Sequence, residues 1–230
     1  MKGRVPVYAG TGCVSTRDTI TLSREAERLG ADILSIITPS FAVASQQELY
    51  DHYCAVAAHV DTPIVLYNIP ARTGNKLLPE TVCRLAKDVE VIKGAKDSSG
   101  DWENLKAYIQ LTKDLDFSVL SGNDSLILPA LKEGGVGGIA GCSNVYPKVL
   151  SSIYELFQEG KLDEAQAAQD SIASFRAVFK YGNPNTVVKT AVAMLGYNVG
   201  KCRAPFNQLP QEGLEALEKV LQENKDKGMC

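Results

Sequence analysis

The chain is 230 residues long, 45% hydrophobic, and carries a formal net charge of −3. That length suits one large domain or two small ones, with enough apolar content for a core that needs no disulfide or metal staple. The near-neutral balance, without a basic run, argues against nucleic acid and anionic membrane as partners, and no apolar run approaches the roughly 18 residues of a membrane span.

The chain opens on Met1-Lys2-Gly3-Arg4-Val5 and moves straight into a strand without the apolar stretch of a signal peptide, so a cytoplasmic protein is expected. One rhythm then repeats: a short β-branched run, a polar turn, an amphipathic helix. Strands are expected over 5–9, 33–37, 63–68, 89–95, 117–120 and 136–140. Between them, Ser15-Thr16-Arg17-Asp18 opens a helix that Gly30 closes, and Ser45-Gln46-Gln47-Glu48 is a capping box. Leu49, Tyr53, Val56 and Val60 follow that box on one helical face, and Pro79 sits where a first-turn proline belongs. Strands alternating with helices imply a parallel sheet covered by helices. After Ala140 the rhythm stops, and 148–158, 162–179, 186–195 and 212–223 all read as helix. Six βα units fall short of the eight of a closed barrel, and six parallel strands also suit an open doubly wound sheet, although no G-x-G-x-x-G turn follows the first strand.

The six cysteines (Cys13, Cys54, Cys83, Cys142, Cys202 and Cys230) never fall at C-x-x-C spacing, so reduced structural cysteines are expected rather than a disulfide frame or zinc site. His52 and His59 lie seven residues apart in one helical stretch. They read as a two-histidine pair on one face or, more simply, as surface histidines.

The chemistry concentrates in Val91-Ile92-Lys93-Gly94-Ala95-Lys96-Asp97-Ser98-Ser99-Gly100-Asp101. Alternation puts Ile92, Gly94 and Lys96 on one face and Lys93 on the other. Lys96 stands at the carboxyl end of its strand, where parallel α/β proteins collect their reactive groups, and Gly94 leaves volume beneath it. An amine in such a pocket loses hydration, which favours its neutral, nucleophilic form; the plain alternative is a lysine snorkelling from a strand end. Pro63-Ile64-Val65-Leu66-Tyr67-Asn68-Ile69-Pro70-Ala71-Arg72-Thr73-Gly74 is a buried strand ending in an inward tyrosine, then a turn carrying arginine. A phenol beside a lysine can shuttle protons and an arginine can grip a carboxylate, but taken singly these are also a core tyrosine and a surface arginine.

Together, Tyr67-Asn68-Ile69-Pro70-Ala71-Arg72-Thr73-Gly74 and Gly94-Ala95-Lys96-Asp97-Ser98-Ser99-Gly100-Asp101 resemble the dihydrodipicolinate synthase / N-acetylneuraminate lyase family. Ala9-Gly10-Thr11-Gly12, Ser121-Gly122-Asn123-Asp124, Gly137-Gly138-Ile139-Ala140, Asn183-Pro184 and Ala204-Pro205 extend the likeness over essentially the whole chain. The resemblance implies a TIM (β/α)8-type barrel with a C-terminal helical extension, as one domain: a partial barrel over 1–146, then the last barrel helix and C-terminal helices over 147–230. It implies a class I lyase in which Lys96 forms a Schiff base with pyruvate or another 2-oxo acid and Tyr67 relays protons. Arg72, Gly138 and Ile139 would bind substrate, the last two through the strand that lines the pyruvate site. No metal or organic cofactor is implied; an aldehyde is the second substrate, and a homo-oligomer, dimer or tetramer, is the expected assembly.

The sequence also departs from that family. Its first two βα units are missing, and with them a Gly-Thr-Thr-Gly-Glu type loop, so a truncated and inactive chain is one expectation. Thr38-Pro39-Ser40-Phe41 lacks two tyrosines that the synthases carry in the last two positions, the second of which reaches a neighbouring subunit's proton relay. Arg72 fits a synthase, whereas Gly137-Gly138-Ile139-Ala140-Gly141 looks closer to 2-keto-3-deoxy sugar acid aldolases. Val14 and Ser40 stand where lysine-inhibited synthases have polar or aromatic contacts, which argues against feedback by lysine.

Overall fold

Six strands pair side by side in the order in which they occur, all parallel: β1 (Tyr8–Gly10), β2 (Ile33–Ile37), β3 (Ile64–Asn68), β4 (Ile92–Asp97), β5 (Ser118–Ser121) and β6 (Gly137–Gly138). The structure is a computed structural model and describes residues 3–206 and 208–229. Sequential order decides between the two expected architectures. A doubly wound sheet reverses its strand order at a switch point, whereas a barrel wall never does. The chain divides into two compact units, Met1–Ile139 and Ala140–Cys230.

In the first unit, helices α1 (Thr16–Arg28), α2 (Gln46–Ala57), α3 (Pro70–Thr73), α4 (Pro79–Asp88), α5 (Trp102–Thr112) and α6 (Ile127–Lys132) connect the strands. The caps do what the sequence asks of them. Ser15 Oγ accepts from Asp18 N, Ser45 and Glu48 form the reciprocal box, Gly30 ends α1 at φ 80°, and Asp101 caps α5. One sheet face meets these helices. Leu34, Ile36, Ile64, Leu66, Ile92, Ala95 and Val119 pack there with Leu49, Tyr53, Val56, Leu85, Leu105 and Tyr108. Burying each large apolar side chain contributes about 1.5–3 kcal/mol, so this layer is the first unit's main source of stability. The opposite face carries Ser35, Ile37, Tyr67, Lys96, Ser118 and Leu120, all only partly buried.

Strand bounds shift from the expected ones. β4 runs through Lys96 to Asp97 instead of ending at Ala95, and β1 and β6 are shorter and start later. Ile92 also lies on the other face. Ile64 opposes Ile92 while the next residue, Val65, opposes Gly94, so Lys93 is an extra, bulged residue and strict alternation fails there. Ile92 therefore joins the helix-covered core, while Gly94 and Lys96 face the other way. The expected turn after β3 contains one helical turn, α3.

The second unit holds α7 (Pro147–Gln158), α8 (Leu162–Ser171), α9 (Ala173–Ala177), α10 (Pro184–Met194) and α11 (Gln211–Asp226), and no strand among its described residues. Its core stacks Tyr146 edge-on to Phe175 and Phe175 edge-on to Phe179, and Asn224 Nδ2 donates to Tyr146 Oη at 2.9 Å. The single helix expected over 162–179 is broken after Ser171. There Ser171 Oγ donates to the Ala168 carbonyl, competing with the helical ladder.

Candidate active site

The register builds the centre of the site. Ile37 opposes Tyr67, Tyr67 opposes Lys96, Lys96 opposes Leu120, and Leu120 opposes Gly137, so one inward-facing row crosses five strands at their carboxyl ends. Residues 29 positions apart in sequence thereby become neighbours. Lys96 Nζ lies 3.9 Å from the centre of the Tyr67 ring, over the face rather than at the hydroxyl. A phenol face attracts a cation and holds the amine in place. Among the described residues no carboxylate pairs with Lys96.

Lys93 provides the contrast. It points to the rim, where its Nζ is 2.7 Å from Asp116 Oδ2, and that hydrogen bond raises its pKa. A lysine so paired stays an ammonium and is no nucleophile at neutral pH.

Behind this row, on the helix-covered face, the residues following Tyr67 and Lys96 bond to each other. Asp97 is 2% exposed. Its Oδ1 accepts from Asn68 Nδ2 and Ser99 N, each at 2.9 Å; its Oδ2 accepts from Ser99 Oγ at 2.9 Å and Asn104 Nδ2 at 3.0 Å. Asn68 Oδ1 in turn accepts from Leu77 N. These bonds fix the ends of β3 and β4 against α5.

Ser98 turns back to the inward side. Its N–H donates to Asn68 O at 2.8 Å, and its Oγ is buried with no hydrogen-bond partner among the described residues. An orphaned buried hydroxyl costs about 1–3 kcal/mol, a cost that Ser98 shares with the equally unpartnered Nε2 of His52. Gly122 lies against it: a Cβ there would come within 1.9 Å of Ser98 Oγ and 2.8 Å of Lys96 Cε. Glycine is needed at 122 for room.

Arg72 lies on α3, just beyond β3 at the same end of the sheet, exposed and without an ion pair among the described residues. Ile139 N donates to Ser121 O at 2.8 Å, which continues β6. Gly138 is exposed, and a Cβ on it would strike Ile127 Cγ1 at 2.7 Å, so its small size serves packing against α6.

The 38–44 loop is fastened by Asn75. Asn75 Nδ2 donates to the Pro39 and Ala42 carbonyls at 2.8 Å, and its Oδ1 accepts from Ala44 N at 2.7 Å. Thr38 Oγ1 donates to Thr73 Oγ1 at 2.9 Å. At the loop's tip Phe41 adopts φ 85°, unusual for a residue with a Cβ, and is 96% exposed.

The histidines form no pair. His59 is exposed, but His52 is buried, which corrects the surface reading. Its Nδ1 lies 2.9 Å from Thr16 Oγ1, its ring packs edge-on to Tyr53, and burial lowers its pKa. No cluster of three metal-ligating side chains occurs among the described residues. Cys13, Cys54, Cys83, Cys142 and Cys202 are free thiols; Cys230 lies outside the described residues. No described helix is long and apolar enough to cross a membrane.

Sequence reasoning placed Tyr67 and Lys96 side by side but gave no role to Asn68, Asp97, Ser98 or Gly122. Alternation carried two residues past Lys96 would have flagged Ser98.

A sequentially wound parallel sheet with a lysine and tyrosine paired on its inner face, at the strands' carboxyl ends, defines a TIM-barrel-type enzyme. The comparisons narrow the class. The family model for the dihydrodipicolinate synthetase family matches residues 1–224. The 4-hydroxy-tetrahydrodipicolinate synthase of Methanospirillum hungatei JF-1 is 38% identical over 220 residues, 95% of this chain and 75% of that protein. The crystal structure of dihydrodipicolinate synthase from Thermotoga maritima superposes with a TM-score of 0.93 at 32% identity, covering 97% of this chain and 77% of that one. YagE, a prophage protein of the dihydrodipicolinic acid synthase family from E. coli K12 solved in complex with pyruvate, gives 0.92 at 29% identity over 100% and 77%. The chain belongs to the dihydrodipicolinate synthetase family and is a lyase of that family.

Proposed function

We propose that this chain joins pyruvate to an aldehyde, or releases it, through a Schiff base on Lys96, the condensation being of the 4-hydroxy-tetrahydrodipicolinate synthase type. The observation that carries the reading is the pairing of Lys96 and Tyr67 in one inward row, with Nζ on the phenol face. The neutral amine attacks the keto carbon of pyruvate, and loss of water leaves a protonated imine. That cation is an electron sink: the methyl group gives up a proton to become an enamine, whose carbon attacks the aldehyde. The aldehyde oxygen takes a proton through the Tyr67 relay, and hydrolysis frees the lysine. The imine itself supplies the activation, so no cofactor is required. Arg72, exposed beyond β3, is available to a substrate carboxylate, and the free Ser98 hydroxyl to a substrate oxygen. Gly138 and Ile139 contribute backbone at the end of β6.

Phe41 bears on the aldehyde. It stands where the resemblance expects a relay tyrosine and has no hydroxyl, which leaves a 2-keto-3-deoxy sugar acid or N-acetylneuraminate-type aldolase as the alternative. Its exposed ring also supports a homo-oligomer. A second reading, binding without turnover, is favoured by the partly exposed inner face of a six-stranded sheet. Two experiments in sequence separate these readings. Incubation with pyruvate and borohydride should add mass to the Lys96 peptide; absence of the adduct refutes Schiff-base chemistry. Assay with aspartate semialdehyde, N-acetylmannosamine and glyceraldehyde then identifies the partner, and an adduct without turnover supports the binding-only reading.

A further inference from the structure

We propose that Asp97 is an electrostatic positioning residue for Lys96: its buried, unpaired negative charge is the fixed counter-charge for the cation that Lys96 carries as a protonated imine. The inference rests on the Schiff-base reading of Lys96.

Asp97 adjoins Lys96 in β4 and is 2% exposed, yet every group bonded to it is neutral: two asparagine amides, a serine hydroxyl and a backbone N–H. Four hydrogen bonds satisfy its lone pairs but leave its charge uncompensated. A buried carboxylate without a cation is disfavoured unless one lies near, and among the described residues none pairs with it. Asp97 accepts no proton and touches no substrate in this role; it acts through the sheet on its neighbour.

Charged and titratable groups flank it on several sides, among them the buried Asp124 just beyond β5. From α5, Tyr108 packs close enough for burial and the Asp97 charge to push its phenol pKa up. At the rim, Lys76 and Asp101 neutralise each other at 3.0 Å. From β3 the titratable neighbour is Tyr67, on the far face, and the β5 residue opposite Asp97 is Ser121. Lys93 is engaged with Asp116. Arg72, beyond β3, is exposed to solvent, so the nitrogen of Lys96, only partly buried, without a carboxylate partner and on the adjacent residue of β4, is the cation we assign to Asp97. Asn68 and Asn104 hold the carboxylate in position, so the field is preorganised and needs no rearrangement when the imine forms.

The test is the pH dependence of the borohydride-trapped pyruvate adduct in the full chain. Asp97→Asn removes the charge with little change in shape. The trapping profile should move to lower pH by about one unit, the effect expected of one charge on the adjacent residue at an effective protein dielectric of about 20. Ser99→Ala removes a donor from the same carboxylate but keeps its charge, and its profile should keep its position. If D97N does not fold, the smaller Asp97→Ser carries the same comparison. A charge-removing variant whose profile loses height without moving, or one that moves no further than S99A, overturns the inference while leaving the Schiff base standing. No adduct in the wild type overturns both.

Discussion

Gly122→Ala separates the fold from the chemistry. Gly122 has no positive φ, so alanine meets no backbone penalty there. What it meets is Ser98 Oγ at 1.9 Å, Lys96 Cε at 2.8 Å and Ser98 Cβ at 3.0 Å. Ordinary carbon contacts lie near 3.5–4.0 Å, so Lys96 Cε must withdraw by roughly 1 Å. Ser98 Oγ and Lys96 Cε belong to movable side chains and Ser98 Cβ need give by only a few tenths of an ångström, so the destabilisation should stay within the about 1–3 kcal/mol usual for overpacking. The chemistry is less forgiving, because a nucleophile displaced by about 1 Å loses on the order of 10²-fold in rate. The assay is the rate of borohydride-trapped pyruvate adduct on Lys96, alongside the midpoint of denaturant unfolding. Adding Ser98→Ala to Gly122→Ala removes one of the two obstacles and should recover part of the rate. Gly94→Ala is the contrast: its Cβ would lie 2.5 Å from the Ser118 carbonyl oxygen, which belongs to a fixed backbone, so the loss should appear in folding first. A G122A protein that traps pyruvate at the wild-type rate would refute the packing of Lys96 against this glycine.

Other substitutions probe the remaining contacts. Tyr67→Phe keeps the ring face under Nζ but removes the hydroxyl, so the adduct should still form while turnover falls about 10²–10⁴-fold, measured against the best aldehyde. Asn75→Ala removes three hydrogen bonds from the 38–44 loop and should cost about 3 kcal/mol in urea unfolding, with faster proteolysis near Phe41. His52 gives a pH signature. Burial lowers its folded-state pKa, so the unfolded chain binds the extra proton first and stability falls as pH drops below about 6.5, levelling off below the folded-state value. His52→Gln should flatten that slope in unfolding curves between pH 7.5 and 5; an unchanged slope would mean that another group carries it.

Helix starts, the parallel sheet and the inward lysine and tyrosine were all legible in the sequence, because capping residues and period-2 alternation are local signals. Three things were not. The bulge at Lys93 moved Ile92 to the opposite face, and a bulge depends on the partner strand, which alternation within one segment does not contain. His52 reads as polar, yet α1 supplies a threonine that lets its ring be buried. Asp97 sits in a turn-like Asp-Ser-Ser-Gly run that suggests solvent, but the Asn68 and Asn104 amides that bury it arrive from 29 residues before and 7 after.

The site therefore has two layers with different tasks. Tyr67 and Lys96 face inward, where a substrate can reach them; Asn68 and Asp97, the next residues on the same strands, face outward and bond to each other beneath α5. Because neighbouring residues on a strand point to opposite faces, holding the outer pair holds the inner pair. The Asn68–Asp97 bond thus fixes the register that brings an amine to 3.9 Å from a phenol ring centre, without placing any bulk in the pocket. The bulge at Lys93 serves the same end from below. It turns Ile92 into the hydrophobic layer and leaves Gly94 under the reactive amine, so one irregular residue lets a single strand bury its base among helices and present a nucleophile at its tip.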